Sequence, residues 1–205
     1  MKKSLITTLL TFIVLFCYSQ YYFGIKGGSN FKKINDNIGI LKTDFKPGFD
    51  AGIFTGFYLT DKLYFQHEIL YSNQLYTVGK LLFAPENKDI VSWNTSWITI
   101  SLLAGYKIYS NNLFVLRGYL GGEFNFILEN EFGYLLGYAP IDYNRPFLFG
   151  GSLGLGLDYS MFTFDISYSY GYAFNAYYNG IDDIFKLDNH YIRANVGWKF
   201  FQKGF

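Results

Sequence analysis

The stretch HYIRANVGWKF, His190 to Phe200, alternates with a period of two. Ile192, Ala194, Val196, Trp198 and Phe200 fall on one side of an extended chain, and Tyr191, Arg193, Asn195, Gly197 and Lys199 on the other. One side is wholly apolar and the other carries charge. A strand of this kind suits a soluble barrel with its apolar side inward, or a membrane barrel with its apolar side against lipid. The remainder of the 205-residue chain decides between them.

The same alternation recurs seven more times. With the apolar side first, Phe23, Ile25, Gly27 and Ser29 oppose Gly24, Lys26, Gly28 and Asn30, and Ala51, Ile53, Thr55, Phe57 and Leu59 oppose Asp50, Gly52, Phe54, Gly56 and Tyr58. Leu63, Phe65, His67, Ile69 and Tyr71 oppose Gln66 and Glu68, and Ile98, Ile100, Leu102, Ala104 and Tyr106 oppose Trp97, Thr99, Ser101, Leu103 and Gly105. Phe114, Leu116, Leu120, Phe124 and Phe126 oppose Arg117, Tyr119, Gly121, Glu123 and Asn125. Phe149, Leu153, Leu155 and Leu157 oppose Gly150, Ser152, Gly154, Gly156 and Asp158, and Phe162, Phe164, Ile166, Tyr168 and Tyr170 oppose Thr163, Asp165, Ser167, Ser169 and Gly171.

Across all eight segments the apolar face carries no Asp, Glu, Lys or Arg, while the opposite face mixes glycine and serine with both signs of charge. A soluble ligand-binding barrel needs the reverse, a charged exterior around an apolar, roomy interior. Small residues beside paired charges instead suit the narrow lumen of eight strands, with the large apolar side chains facing lipid. Aromatic residues close the apolar face at both ends, Phe57, Tyr106, Tyr159, Trp198 and Phe200 at one and Tyr71, Phe126, Phe149 and Tyr170 at the other, as the two girdles of a transmembrane barrel would.

Connections alternate in length. Thr60-Asp61-Lys62, Ser110-Asn111-Asn112 and Tyr159-Ser160-Met161 are short turn signals, whereas Lys32 to Lys46, Asn73 to Asn94, Leu128 to Arg145 and Ala173 to Asn189 read as long loops. Short turns on one side and long loops on the other is the outer-membrane arrangement. The expected fold is therefore all-β, an eight-stranded antiparallel transmembrane barrel of up-and-down topology, with both termini in the periplasm.

Composition agrees. Aromatic residues make up 22% of the chain and charged residues only 16%, where a soluble domain carries about a quarter. The opening MKKSLITTLLTFIVLFCYSQ has two lysines, an apolar run from Leu5 to Phe16 and a short polar end, and reads as a signal peptide over residues 1–19, leaving 20–205 as the barrel domain. Phe16 stands before Cys17 where lipidation needs a small residue. Loss of Lys2 and Lys3 with that segment takes 17 basic residues to 15 against 16 acidic ones, a net charge of −1, which argues against a nucleic-acid partner.

The stretches FGIKGGSNF (Phe23 to Phe31) and GFDAGIFTGFYLTDKLYFQHEILYS (Gly48 to Ser72), with the aromatic closing strand, resemble the PorT-like family of outer-membrane β-barrel proteins. The resemblance spans nearly the whole chain after residue 19, but its glycine and aromatic placements specify architecture rather than chemistry. It implies insertion in the outer membrane of a diderm bacterium by the barrel-assembly machinery. One branch of the family takes part in protein secretion.

Chemistry is sparse. His67 falls on the lipid face between Phe65 and Ile69 and reads as an uncharged imidazole, without the neighbours that a catalytic triad requires. His190 stands at the outer rim near Asp182, Asp183 and Asp188, but DDIFKLDNH lacks metal-ligand spacing and reads as a solvated loop. The glycines of GSLGLGLD, Gly151 to Asp158, alternate along a strand with no helix after it, so they pack a lumen rather than cradle a phosphate. No catalytic residue, metal site or cofactor is expected.

The inward charges Lys26, Arg117, Arg193 and Lys199 against Asp50, Glu68, Glu123, Asp158 and Asp165 are expected to form a crosslinked network that plugs the lumen, with Tyr58, Trp97 and Tyr119 filling the rest. Tyr134, Tyr138, Tyr143, Tyr177, Tyr178 and Phe185 are candidates for binding a glycan or protein from the loops. Lys32, Lys33, Lys42, Lys46, Lys80 and Arg145 in or beside those loops suit lipopolysaccharide phosphates. The function expected is an envelope scaffold acting through its loops, not an enzyme. The alternatives are an accessory of secretion and, less favoured, a lipid-modifying enzyme.

Overall fold

A computed structural model describes residues 20–36, 46–78, 91–130, 147–178 and 181–203. The signal peptide expected over 1–19 lies outside the described residues, as do Lys42, Lys80, Tyr134, Tyr138, Tyr143 and Arg145.

Eight strands follow one another: β1 (Gln20–Asp36), β2 (Lys46–Tyr58), β3 (Leu63–Val78), β4 (Val91–Ser110), β5 (Phe114–Asn130), β6 (Phe147–Tyr159), β7 (Phe162–Tyr178) and β8 (Ile181–Lys203). Each pairs antiparallel with its sequence neighbour, and β1 pairs with β8 to close the barrel. Closure leaves no sheet edge, so every strand's backbone polar groups find partners inside the wall, as a lipid environment demands.

The three short turns are built locally. Leu59 N–H donates to the Leu63 carbonyl at 2.9 Å, and Thr60 Oγ1 accepts from Leu63 N–H at 3.0 Å. Asn111 Oδ1 accepts from the N–H groups of Leu113 and Phe114 at 2.9 and 2.8 Å, a side chain standing in for a backbone turn. In the third, Ser160 adopts the left-handed conformation, with φ of 53°.

Side chains alternate across the wall as the period of two requires. The inward side of β8 buries Tyr191, Arg193, Asn195 and Lys199, while Ile192, Val196, Trp198 and Phe200 are exposed. At the short-turn end the outward rings touch in a belt, with Phe57 and Phe65 stacked at 5.8 Å and Phe23 edge-on to Phe200 at 4.9 Å. At the opposite end Phe124 meets Phe149 at 5.2 Å and Phe49 meets Tyr71 at 6.0 Å. A ring of exposed aromatics at each end of an apolar band is what the two membrane interfaces select.

The strands are longer than the sequence implies at the long-loop end. β1 runs on through Lys32 to Asp36 and β3 to Val78, and most of the segment 173–189 is strand, with Tyr178 opposite Ile181. Beyond the apolar band both faces of a hairpin meet polar surroundings, so ladder hydrogen bonds continue after hydropathic alternation has stopped. Lys32 is consequently not a loop residue. It is buried in the lumen, and so is Lys107, near the short-turn end.

Candidate functional site

The lumen is filled by stacking large residues over glycines of the neighbouring strand. A Cβ on Gly105 would collide with the Tyr64 ring, one on Gly154 with the Tyr119 ring and one on Gly56 with the Tyr22 ring. In register Tyr64 faces Gly105 and Tyr119 faces Gly154, so each phenol ring lies over the glycine of the next strand. Tyr22, Phe54, Tyr58, Tyr64, Leu103 and Tyr119 form a continuous apolar cluster there.

A charged chain threads this packing. Lys199 Nζ lies 2.6 Å from Asp158 Oδ2, and Asp158 Oδ1 lies 3.2 Å from Arg117 Nε. The Arg117 guanidinium donates to Asp165 Oδ1 and Thr163 Oγ1, each at 2.6 Å, and to Tyr64 Oη at 3.0 Å. The other oxygen of Asp165 accepts from Lys26 Nζ at 3.0 Å, and Lys26 also reaches Glu68 at 2.6 Å. Gln66 Nε2 donates to that Glu68 oxygen, and Tyr22 Oη donates to Gln66 Oε1 at 2.7 Å. Three bases and three acids are thereby joined without a break.

A second cluster lies toward the long-loop end. Arg193 Nη1 donates to Glu123 Oε1 at 2.7 Å, and its Nε stands 3.4 Å from Asp50 Oδ2. Ser169 Oγ donates to Glu123 at 3.0 Å, and Asn30 and Ser72 both donate to Asp50 Oδ1. Here one base faces two acids. Lys32, buried in the same half, brings a second positive charge and rests with Nζ 4.5 Å from the ring centroids of both Trp97 and Tyr191.

All nine charged residues singled out above, Lys26, Asp50, Glu68, Arg117, Glu123, Asp158, Asp165, Arg193 and Lys199, therefore lie inside and make ion pairs within 3.4 Å. Tyr58, Trp97 and Tyr119 are buried among them. Periodicity does not disclose Lys32 and Lys107 as members, because the first follows an apparent strand end and the second precedes a turn. Lys107 Nζ sits 4.0 Å from the centroid of the Tyr58 ring. No ring of one sign lines the lumen among the described residues, as a selective pore would require.

The two histidines lie elsewhere. His67 faces outward, opposite Thr55 on one side and Leu102 on the other. His190 is part of β8, not of a solvated loop, and its Nδ1 is 2.7 Å from Tyr168 Oη. Asp182, Asp183 and Asp188 are in the same strand, with side chains outside the described ones. Among the described residues no three His, Cys, Asp or Glu side chains are grouped as metal ligands.

A family described as "Outer membrane protein beta-barrel domain" matches residues 18–176. The chain belongs to this family of outer-membrane β-barrels. No curated protein sequence matches it. Among solved structures, the outer membrane protein OprG from Pseudomonas aeruginosa is similar at 16% identity and a TM-score of 0.50, covering 89% of this chain and 96% of its own. Ail, the attachment invasion locus protein of Yersinia pestis, solved with the heparin analogue sucrose octasulfate, shares 15% identity over 88% of this chain and 99% of its own, with a TM-score of 0.46. Neisserial surface protein A shares 17% over 87% and 97%, with a TM-score of 0.45. At such identities the likeness is one of fold alone.

Proposed function

We propose that this outer-membrane barrel is a closed, non-catalytic scaffold whose work is done by its extracellular connections. One observation carries the reading: the buried ion-pair chain from Lys199 through Asp158, Arg117 and Asp165 to Lys26 and Glu68 crosslinks the lumen. Confined charges paired at these distances are costly to separate, so the network favours a filled interior over a water-filled path. Recognition of a glycan or protein then falls to the loops, which a rigid barrel holds in place. Outer-membrane lipid, including lipopolysaccharide, surrounds the wall, and the barrel-assembly machinery inserts it.

The full chain reconstituted in a planar bilayer tests this reading. The expected record shows no steady single-channel current. A stable conductance that changes when Arg117 or Glu123 is neutralised would overturn the scaffold and make the protein a transporter.

The PorT-like resemblance carried by Phe23 to Phe31 and Gly48 to Ser72 supports a second reading, an accessory of protein secretion. A periplasmic partner that co-purifies with the barrel, and an altered set of secreted proteins on its deletion, would favour it. A lipid-modifying enzyme is the least supported alternative, and lipid A altered in a manner dependent on His67 or His190 would be its signature.

A further inference from the structure

The lipid-facing wall carries one polar pair at mid-depth. Among the described residues, the outward rows of the apolar band hold three polar side chains besides tyrosine and tryptophan, namely Ser29, Thr55 and His67. Ser29 stands in the rung of the belt residue Phe49. Thr55 of β2 and His67 of β3 lie farther in, and they are cross-strand partners.

Their depth follows from strand geometry. The outward row of β3 reads Leu63, Phe65, His67, Ile69 and Tyr71, so His67 is four residues from either end. Four steps of about 3.3 Å, tilted by about 40°, rise about 10 Å, which is more than an imidazole spans. The ring is therefore held away from both headgroup layers. It is exposed and makes no hydrogen bond with the described residues. Thr55 Oγ1 donates to the Tyr22 carbonyl at 3.0 Å, and as a hydroxyl oxygen it retains the capacity to accept. An imidazole carries at least one N–H in either tautomer. Hydrocarbon offers that donor no acceptor, and polar side chains at such depth are kept where they pair.

A second copy of the chain supplies the acceptor by symmetry. Barrels inserted with the same polarity are related by a two-fold axis along the membrane normal, which brings residues of equal depth together. An axis passing between Thr55 and His67 sets each His67 opposite the Thr55 of the other copy, so the contact is made twice. Neighbours about 4.8 Å apart on strands tilted by about 40° differ in depth by about 3 Å, within the reach of an imidazole. The flanking rungs are apolar, Ile53 opposite Ile69 on one side and Phe57 stacked on Phe65 at 5.8 Å on the other. The same axis lays each of these rungs against its own copy.

We propose that this barrel pairs with a second copy of itself in the membrane through the β2–β3 face, with His67 of each copy donating to Thr55 of the other. The surface is separate from the lumen and from the loops, and it does not depend on the scaffold reading.

Sedimentation equilibrium of the full chain in density-matched detergent micelles tests the pair. The parent is expected to show a reversible monomer–dimer equilibrium. His67→Leu removes both donors and Thr55→Val both acceptors, so each should weaken dimerisation about tenfold, as expected for two hydrogen bonds between membrane segments. The His67→Leu/Thr55→Val double variant should be no weaker than either single one, because each already breaks both contacts. Thr55→Ser keeps the hydroxyl and should dimerise as the parent does, and so should Tyr168→Phe, on the opposite wall. Heat-modifiable gel mobility confirms that each variant is a closed barrel, and with the two residues read separately, loss of one variant to misfolding leaves the other to decide. A parent that stays monomeric at every concentration, association into trimers or open-ended oligomers, or a His67→Leu variant that dimerises as tightly as the parent would overturn the proposal. Dimerisation lost in His67→Leu but kept in Thr55→Val would overturn the reciprocal contact.

Discussion

Arg117 of β5 and Asp165 of β7 meet at 2.6 Å across the intervening strand, directly over Gly156. The three occupy a single rung, since Gly156 is the register partner of both. A Cβ at Gly156 would lie 2.6 Å from Asp165 Oδ1 and 2.7 Å from Arg117 Cζ, so the ion pair exists because that position has no side chain. Gly156 is therefore the negative image of this part of the charged network.

Coupling through this contact is measurable. Arg117→Met leaves Asp158 and Asp165 each short of a cation, and removing one partner of a buried pair typically costs about 3–5 kcal/mol. Asp165→Leu relieves part of that loss, because it removes one of the carboxylates left uncompensated. In a double-mutant cycle read by urea unfolding in lipid vesicles, the double variant should be less destabilised than the sum of the two single variants by about 0.5–3 kcal/mol. Additive effects would show that the network is a set of independent pairs.

The glycine rung makes its own prediction. Gly156→Ala should push Arg117 and Asp165 apart and cost about 1–3 kcal/mol, the usual penalty of overpacking a filled interior. Gly151, on the outward side of the same strand, has nothing nearer to an added Cβ than the Gly121 carbonyl at 3.9 Å. Gly151→Ala should therefore be nearly neutral in the same unfolding assay, and equal losses at both positions would contradict the packing described.

Alternation alone assigns each residue to a face, and for the residues from Tyr22 to Lys199 that assignment suffices to place the nine charges inside. It does not say which acid meets which base. Partners depend on register, and register depends on turn geometry and on bulges such as those at Ser96/Trp97 and Lys107/Tyr109, which carry no hydropathic mark. Lys32 shows the second limit. Past Phe31 the chain reads KKIND, polar on both faces, so the ladder continues while the pattern that reveals it ends. The Tyr168–His190 contact was invisible for the first reason: it needs the diagonal offset between β7 and β8, which spacing along one strand cannot supply.

Lipid exposure is tested at Leu102, the middle of the outward run from Ile98 to Tyr106, which is 45% exposed. Arginine at the midplane on the lipid face costs about 2–4 kcal/mol. Leu102→Arg should lower the membrane-inserted fraction sharply during folding into vesicles, whereas Leu102→Phe should leave it unchanged. Ser101→Arg, one residue away but facing the lumen opposite Glu123, should impair insertion less than Leu102→Arg. Equal insertion of the two arginine variants would reverse the face assignment.

Orientation can be read with single cysteines, because the sequence contains only Cys17, within the segment expected to be cleaved. Asn111 lies in the tight turn between β4 and β5, where its side chain accepts two backbone N–H groups, and Asn179 is next in sequence after Tyr178, which ends β7 at the other end of the barrel. Outer-membrane barrels keep short turns in the periplasm and longer connections outside. A membrane-impermeant maleimide added to intact cells should label Asn179→Cys and spare Asn111→Cys, with Asn111→Cys becoming reactive once the outer membrane is permeabilised. The parent chain should stay unlabelled in both conditions. Because the Asn111→Cys substitution removes a turn acceptor, Asp61→Cys in the β2–β3 turn provides an independent reading of the same end. Labelling of both short-turn cysteines in intact cells, with Asn179→Cys protected, would invert the barrel.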